Sequence, residues 1–191
     1  MRIKDLIRKK LGLPIMYSSE TSKVRHLVSQ YCIGKGCDIG FGGDKIMKDN
    51  CDGIDYENPY AYTGKDKVDI ACKVGLEPLP VADNTYDYVY SSHLIEDFEN
   101  TADILKDFIR VLKSGGNLIL VFPDQVEYEK YCLKNGQTLN THHVHKNMGL
   151  NFMLEKIKAM AGITSEKLFF SNCEIDYNVI IAIKINKNGL H

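Results

Sequence analysis

Apolar and polar positions follow two periods along this chain, and the alternation between them sketches the fold. Compact β-branched and aromatic runs mark strands: Tyr86–Ser91 is the strongest, and Asn117–Phe122 (Asn-Leu-Ile-Leu-Val-Phe) reads as a strand buried on both faces. Shorter strands are predicted at 36–40, 51–55 and 66–71. Between them the period lengthens. Ile104, Leu105, Phe108, Ile109 and Leu112 share one face of a helix over Thr101–Leu112. The following Lys113-Ser-Gly-Gly116 is predicted to stop that helix by supplying a left-handed position. Further helices are predicted from about 43, over 124–134 and over 148–161. A helical lead-in over 1–31, broken at Gly12-Leu-Pro14, carries Val24, Leu27, Val28 and Tyr31 at helical spacing. Leu168–Ile175 and Asn178–Ile185 form a last strand pair turning at Asp176-Tyr177, too close together for a helical crossover. The pattern predicts one α/β domain over 1–191: an open, mostly parallel seven-stranded sheet, helices on both faces, and a C-terminal antiparallel hairpin.

Composition narrows the function classes. The formal net charge of −1 argues against nucleic-acid binding by general electrostatic attraction. The six cysteines show no C-x-x-C spacing and several lie in apolar runs, so they are expected to be reduced and buried, as in a cytoplasmic protein. No stretch reaches the roughly 18–20 apolar residues of a membrane span. Ile3, Leu6 and Ile7 share a helical face among Arg2, Lys4, Arg8, Lys9 and Lys10, which suits an exposed helix on the domain or a weak contact with a membrane or partner.

The chemistry concentrates at Cys37-Asp38-Ile39-Gly40-Phe41-Gly42-Gly43-Asp44. A strand ends in an acid, and glycines then let the backbone turn tightly and a ligand approach without a Cβ in the way. The next strand ends at Asp55, where a carboxylate can accept both hydroxyls of an adenosine ribose. Glycine pairs also make plain turns, but the second acid is placed for a nucleoside. The spacing is G-x-G-G rather than the dinucleotide G-x-G-x-x-G. An acid two residues before the first glycine suits a cationic ligand better than a pyrophosphate.

Three ordered stretches then carry a resemblance. Leu79-Pro-Val-Ala-Asp-Asn-Thr-Tyr-Asp-Tyr-Val, the run Ser92-His-Leu-Ile-Glu-Asp97 with Ser91 before it, and Arg110-Val-Leu-Lys-Ser-Gly-Gly116 are similar to the LP-x-x-D-x-x-[FY]-D-x-V, S-x-H-x-x-E-H and R-V-L-K-P-G-G stretches of class I S-adenosylmethionine-dependent methyltransferases. The resemblance covers about residues 34–123 and implies a Rossmann-like methyltransferase fold and S-adenosyl-L-methionine as cofactor. It further implies that Asp38, Gly40, Phe41 and Gly42 line the methionine part, Asp55 holds the ribose with Tyr56 beside the adenine, and Asp69 and Ile70 border the adenine. Ser91 would approach the methionine through its backbone, and His93 would face the pocket mouth. Two positions depart from the pattern: the Glu-His pair is Glu96-Asp97 here, and Cys72–Glu77 does not match the usual acidic-alanine adenine contact.

Candidate groups for the chemistry lie where the strands' carboxyl ends open: His93, Asp97, Asp124, and the polar-loop cluster His142, His143 and His145. These loop histidines are solvated, serve as a base or substrate contact, or bind a metal; the absence of a carboxylate or cysteine at ligand spacing speaks against the last, and no metal is expected. Tyr128, Tyr131 and Phe152 are core residues or a stacking platform. The expected activity is methyl transfer to a small-molecule acceptor, an O-methylation of a sugar or metabolite hydroxyl by analogy, with residues 123–161 on the substrate side and a homodimer as one arrangement. The competing reading is a non-catalytic scaffold that keeps a methyltransferase-like fold for binding.

Overall fold

The computed structural model describes residues 19–59 and 64–188. The strands are β1 (Gly36–Ile39), β2 (Cys51–Asp55), β3 (Ile70–Ala71), β4 (Tyr86–Ser92), β5 (Leu112–Pro123), β6 (Ile163–Ile175) and β7 (Asn178–Lys187). They form one sheet in the order β3-β2-β1-β4-β5-β7-β6. The pairs from β3 to β5 are parallel; β7 runs antiparallel to both β5 and β6. The helices are α1 (Glu20–Val28), α2 (Thr101–Val111), α3 (Gln125–Asn135) and α4 (Leu150–Lys158). Among the described residues no helix is long and apolar enough to cross a membrane.

Period-two alternation divides the core. Tyr88, Tyr90, Ile119, Val121, Ile180 and Ala182 face one side, where Val24 and Val28 of α1 cover them. Their neighbours Val89, Leu118, Leu120, Phe122, Val179 and Ile181 face the other, under Ile104, Leu105 and Phe108 of α2 and Met153 and Ile157 of α4. The strand order changes direction between β1 and β4, which opens a crevice at their carboxyl ends.

Several predicted boundaries move, each for a local reason. The helix predicted from about 43 is absent: residues 40–50 form turns and bends. A parallel connection needs a dozen or more residues to hold a crossover helix, and only these separate β1 from β2. Side chains serve the polar backbone instead: Ile46 N–H donates to Asp38 Oδ2 at 2.7 Å, Lys45 N–H to Asp66 Oδ2 at 2.9 Å, and Arg25 to the carbonyls of Lys45 and Ile46 at 3.0 and 3.2 Å. The predicted glycine stop of α2 is not the cap. Leu112 already turns extended (φ −75°, ψ 139°), and the positive φ falls at Gly115, within β5. A Cβ on Gly116 would lie 2.9 Å from the Asp87 carbonyl, so that glycine permits a close strand approach. β3 is reduced to two residues, while β6 begins at Ile163, before the predicted 168. Exposed Thr164-Ser-Glu-Lys167 hides the first part of this edge strand from a hydrophobic pattern. The hairpin turns at Asp176-Tyr177, with Asp176 at φ 52°. Of the predicted lead-in, the part before Ser19, with Ile3, Leu6 and Ile7, lies outside the described residues.

Candidate functional site

Two groups of residues meet at the carboxyl ends of the central strands. The first is the glycine turn. Gly40, Gly42 and Gly43 all have positive φ (72°, 53° and 80°), which L side chains rarely adopt. A Cβ on Gly40 would lie 2.8 Å from Leu94 Cδ1, so this turn presses against the segment leaving β4. Asp55, at the tip of β2, accepts the Gly42 N–H on Oδ2 at 3.0 Å and the Tyr56 N–H on Oδ1 at 2.8 Å. Burial raises its pKa above the usual carboxylate value, and the two N–H donors counter part of that rise. Asp38 is fully buried below the turn, with Oδ2 held by Ile46 and Oδ1 without a hydrogen-bond partner; burial holds its pKa well above the usual range. Phe41 is buried against Gly53, whose Cβ would lie 2.8 Å from its ring. Ser91 is buried on β4 and its Oγ donates to the Ile39 carbonyl at 2.9 Å.

Past β2 and β3, a cavity of about 640 Å³ is lined by residues including Glu57, Pro59, Lys67, Asp69 and Ala71. Asp69 Oδ2 accepts the Gly53 N–H and the Lys45 ammonium, both at 2.8 Å, which ties the start of β3 to β2. The carbonyls of Gly42 and Gly43 accept the N–H groups of Gly64 and Asp66 at 3.2 and 2.8 Å. A second opening, of about 670 Å³, lies against α2 between Val74–Pro78 and Arg110, away from the glycine turn.

The second group surrounds Glu96. His93 leaves β4 at φ 51°, a strained angle that swings its ring out over the sheet end. Its Nε2 lies 2.6 Å from Asn178 Oδ1, and its Nδ1 lies 3.3 Å from Glu96 Oε1. The Asn178 amide is oriented by its Nδ2, which donates to Glu20 Oε2 at 3.3 Å, so Oδ1 must accept. Both ring nitrogens of His93 therefore face acceptors. Burial would lower its pKa, but Glu96, Glu20 and Asn178 outweigh it and raise it to about 9. Glu20 is the counterpart: burial alone would raise it, yet His93 and Lys23 hold it below the usual carboxylate range.

His143 reaches the same carboxylate from the loop after α3. Its side chain is only 5% exposed, with Nε2 3.9 Å from Glu96 Oε1. Gln125 fixes its tautomer: Gln125 Nε2 donates to Glu129 at 3.0 Å, so Gln125 Oε1 accepts Nδ1–H of His143 at 2.9 Å. The Nε2 lone pair is left toward Glu96. Burial, aided by the His93 charge, lowers the His143 pKa despite the Glu96 carboxylate. Tyr128 packs against the ring at a tilt of 43°, centroids 4.7 Å apart, and also meets Tyr177, as does Tyr131.

The predicted candidates thus separate. His93 and His143 converge on Glu96. Asp97 lies half-buried on the same short turn, Ile95–Asp97. His142 is exposed. His145 Nε2 lies 2.8 Å from the Phe98 carbonyl and 2.9 Å from Thr101 Oγ1, latching the loop to the start of α2. Asp124 caps α3 by accepting the Val126 and Glu127 N–H groups, each at 3.1 Å. Sequence reasoning missed Glu20, Gln125 and Asn178, which only the tertiary fold brings in. Glu96 was visible as half of the departing Glu-Asp pair. Among the described residues, no group of three or more His, Cys, Asp or Glu side chains is arranged to hold a metal ion.

Residues 37–120 match the family described as Methyltransferase domain. The chain is similar to an S-adenosylmethionine-dependent methyltransferase from Mesorhizobium loti (TM-score 0.62, 11% identity, covering 87% of this chain and 98% of that one). It is also similar to one from Archaeoglobus fulgidus (TM-score 0.58, 14% identity, 96% and 100% covered). A third likeness is to one from Thermotoga maritima (TM-score 0.55, 22% identity, 87% of each chain). At these identities the likenesses establish the fold. No curated protein matches the chain.

Proposed function

We propose that this chain, whose residues 37–120 match the Methyltransferase domain family, is a class I S-adenosylmethionine-dependent methyltransferase and transfers a methyl group from S-adenosylmethionine to a hydroxyl of a small molecule. The observation that carries the cofactor half is the glycine turn bonded to Asp55. Each Asp55 oxygen accepts one backbone N–H and keeps a further lone pair, so the carboxylate can still accept both ribose hydroxyls. Tyr56 and the cavity bordered by Asp69, close to Ile70, suit the adenine. Asp38, Gly40, Phe41, Gly42 and the Ser91 backbone suit the methionine part; the buried Asp38 would act on it through the turn it holds rather than by contact.

The acceptor half rests on residues 123–161, whose loop and helices frame the Glu96 cluster. Transfer is an in-line displacement at a sulfonium methyl, and an alcohol must also lose its proton. Of the candidates, His143 fits that task best, because its neutral ring presents a lone pair. His93, flanked by acceptors on both nitrogens, fits an electrostatic role. His145 and Asp124 have their bonding in the loop latch and the helix cap. Incubation with methyl-labelled S-adenosylmethionine and a pool of sugars and other hydroxylated metabolites tests the reading: label recovered in ethers supports it. Label recovered only in amines or carboxyl esters overturns the hydroxyl assignment.

A further inference from the structure

Glu96 is 2% exposed, and its Oε2 has no hydrogen-bond partner among the described residues. Beside it stands a second acceptor, the Nε2 lone pair of His143, 3.9 Å from Glu96 Oε1 and too far for a bond between them. Glu96 Oε2 is buried without a donor, and the His143 Nε2 lone pair beside this carboxylate is also able to accept, so the pair suits a ligand that brings two donors. An ammonium would do so, but the His93 ring, both of whose nitrogens face acceptors, already lies 3.3 Å from Glu96 Oε1. A second cation there would be repelled, so the ligand is neutral. The cluster is also in the right place. The segment carrying His93 and Glu96 also carries Leu94, which packs on Gly40 of the glycine turn. The loop bearing His143 closes the other side, with the Val144 N–H donating to the Glu96 carbonyl at 3.1 Å and the Asn140 N–H to Tyr128 Oη at 2.9 Å.

We infer that Glu96 and His143 form a two-acceptor subsite for a vicinal diol of the methyl acceptor, Glu96 taking one hydroxyl proton as a hydrogen bond and His143 Nε2 facing the hydroxyl to be methylated. The inference rests on the methyl-transfer reading. In the step it serves, the hydroxyl oxygen forms a bond to the methyl carbon, the carbon–sulfur bond breaks with its electron pair going to sulfur, and the hydroxyl proton passes to His143 Nε2. The products are an ether, S-adenosylhomocysteine and an imidazolium that returns its proton to solvent. Glu96 is a substrate-binding group here, and Gln125 a positioning residue that fixes the tautomer.

Ligand-observed NMR on the full chain tests this, using the cis vicinal diol of cyclohexane and cyclohexanol as probes. S-adenosylhomocysteine binding is measured first; its failure would count against the methyl-transfer reading itself. On the protein saturated with S-adenosylhomocysteine, the diol is expected to bind about tenfold more tightly than the mono-alcohol, the worth of one hydrogen bond to a charged group. Glu96→Gln and His143→Gln are each expected to erase that preference while leaving S-adenosylhomocysteine affinity unchanged. Should Glu96→Gln fail to fold, His143→Gln, on a loop, carries the comparison. Equal binding of the two probes, binding of neither, or a preference that survives in the folded variants overturns the subsite.

Discussion

Asp55 serves two structures at once, the glycine turn and the ligand it is proposed to hold. Its replacement by alanine removes two acceptors for ribose hydroxyls, each bond worth about 1.5–3 kcal/mol. Asp55→Ala is expected to weaken S-adenosylhomocysteine at least about tenfold by titration calorimetry while the thermal transition stays cooperative; unchanged affinity would mean the ribose lies elsewhere. His93 gives a prediction of a different kind. Its pKa is raised from 6.5 in the unfolded chain to about 9 in the fold. The folded state therefore binds the extra proton, so the stabilisation is complete below about pH 6.5 and is lost as pH rises through about 9, with a ceiling on the order of 3 kcal/mol. Urea titrations between those values should show stability falling with pH in the parent and a flatter profile in His93→Gln. Parallel profiles would remove His93 as the titrating group. At this scale the sequence is informative about the glycine turn and its tie to Asp55, because Asp38, the glycines and Asp55 are close in the chain. It is uninformative about the Glu96 cluster: His93 and Asn178 are 85 positions apart, and nothing local signals their contact.

Elements decide which predicted candidates are structural. Asp124 sits after β5, where a catalytic acid would be sought, yet it caps α3. Asp124→Ala is expected to cost about 1 kcal/mol of stability, within the usual range for a lost cap, and to leave turnover near the parent's. A drop of about 10² or more in turnover at intact cofactor affinity would return Asp124 to the chemistry. The connection between β1 and β2 shows the limit of reading elements from glycine spacing. Such a turn ordinarily opens a helix, but residues 40–50 are too few, and the lattice of Asp38, Asp66 and Arg25 replaces the helical hydrogen bonds. Arg25 also pairs with Asp44 at 2.7 Å, joining α1 to the turn. Arg25→Ala should therefore raise amide exchange at Lys45 and Ile46 more than at the strands; exchange rising evenly across the sheet would argue for a general rather than local support. The strands were legible because buried runs such as Leu118–Phe122 stand out. The extension of β6 was not, because its outer residues are exposed and polar.

On the scale of the whole molecule, the sheet order and the antiparallel pair follow from the alternation of runs and from the short Asp176-Tyr177 connection. The switch of direction between β1 and β4 then places the glycine turn beside the segment carrying His93 and Glu96. The groups proposed for the cofactor and those proposed for the acceptor share one end of the sheet for that reason. The central claim is that this end holds S-adenosylmethionine. Calorimetric titration of the full chain with S-adenosylhomocysteine tests it most directly. The account predicts saturable binding at one site in the micromolar range, about −8 kcal/mol at a dissociation constant of 1 μM. Absence of heat and of thermal stabilisation with S-adenosylhomocysteine and S-adenosylmethionine, together with clear binding of NAD, would contradict it.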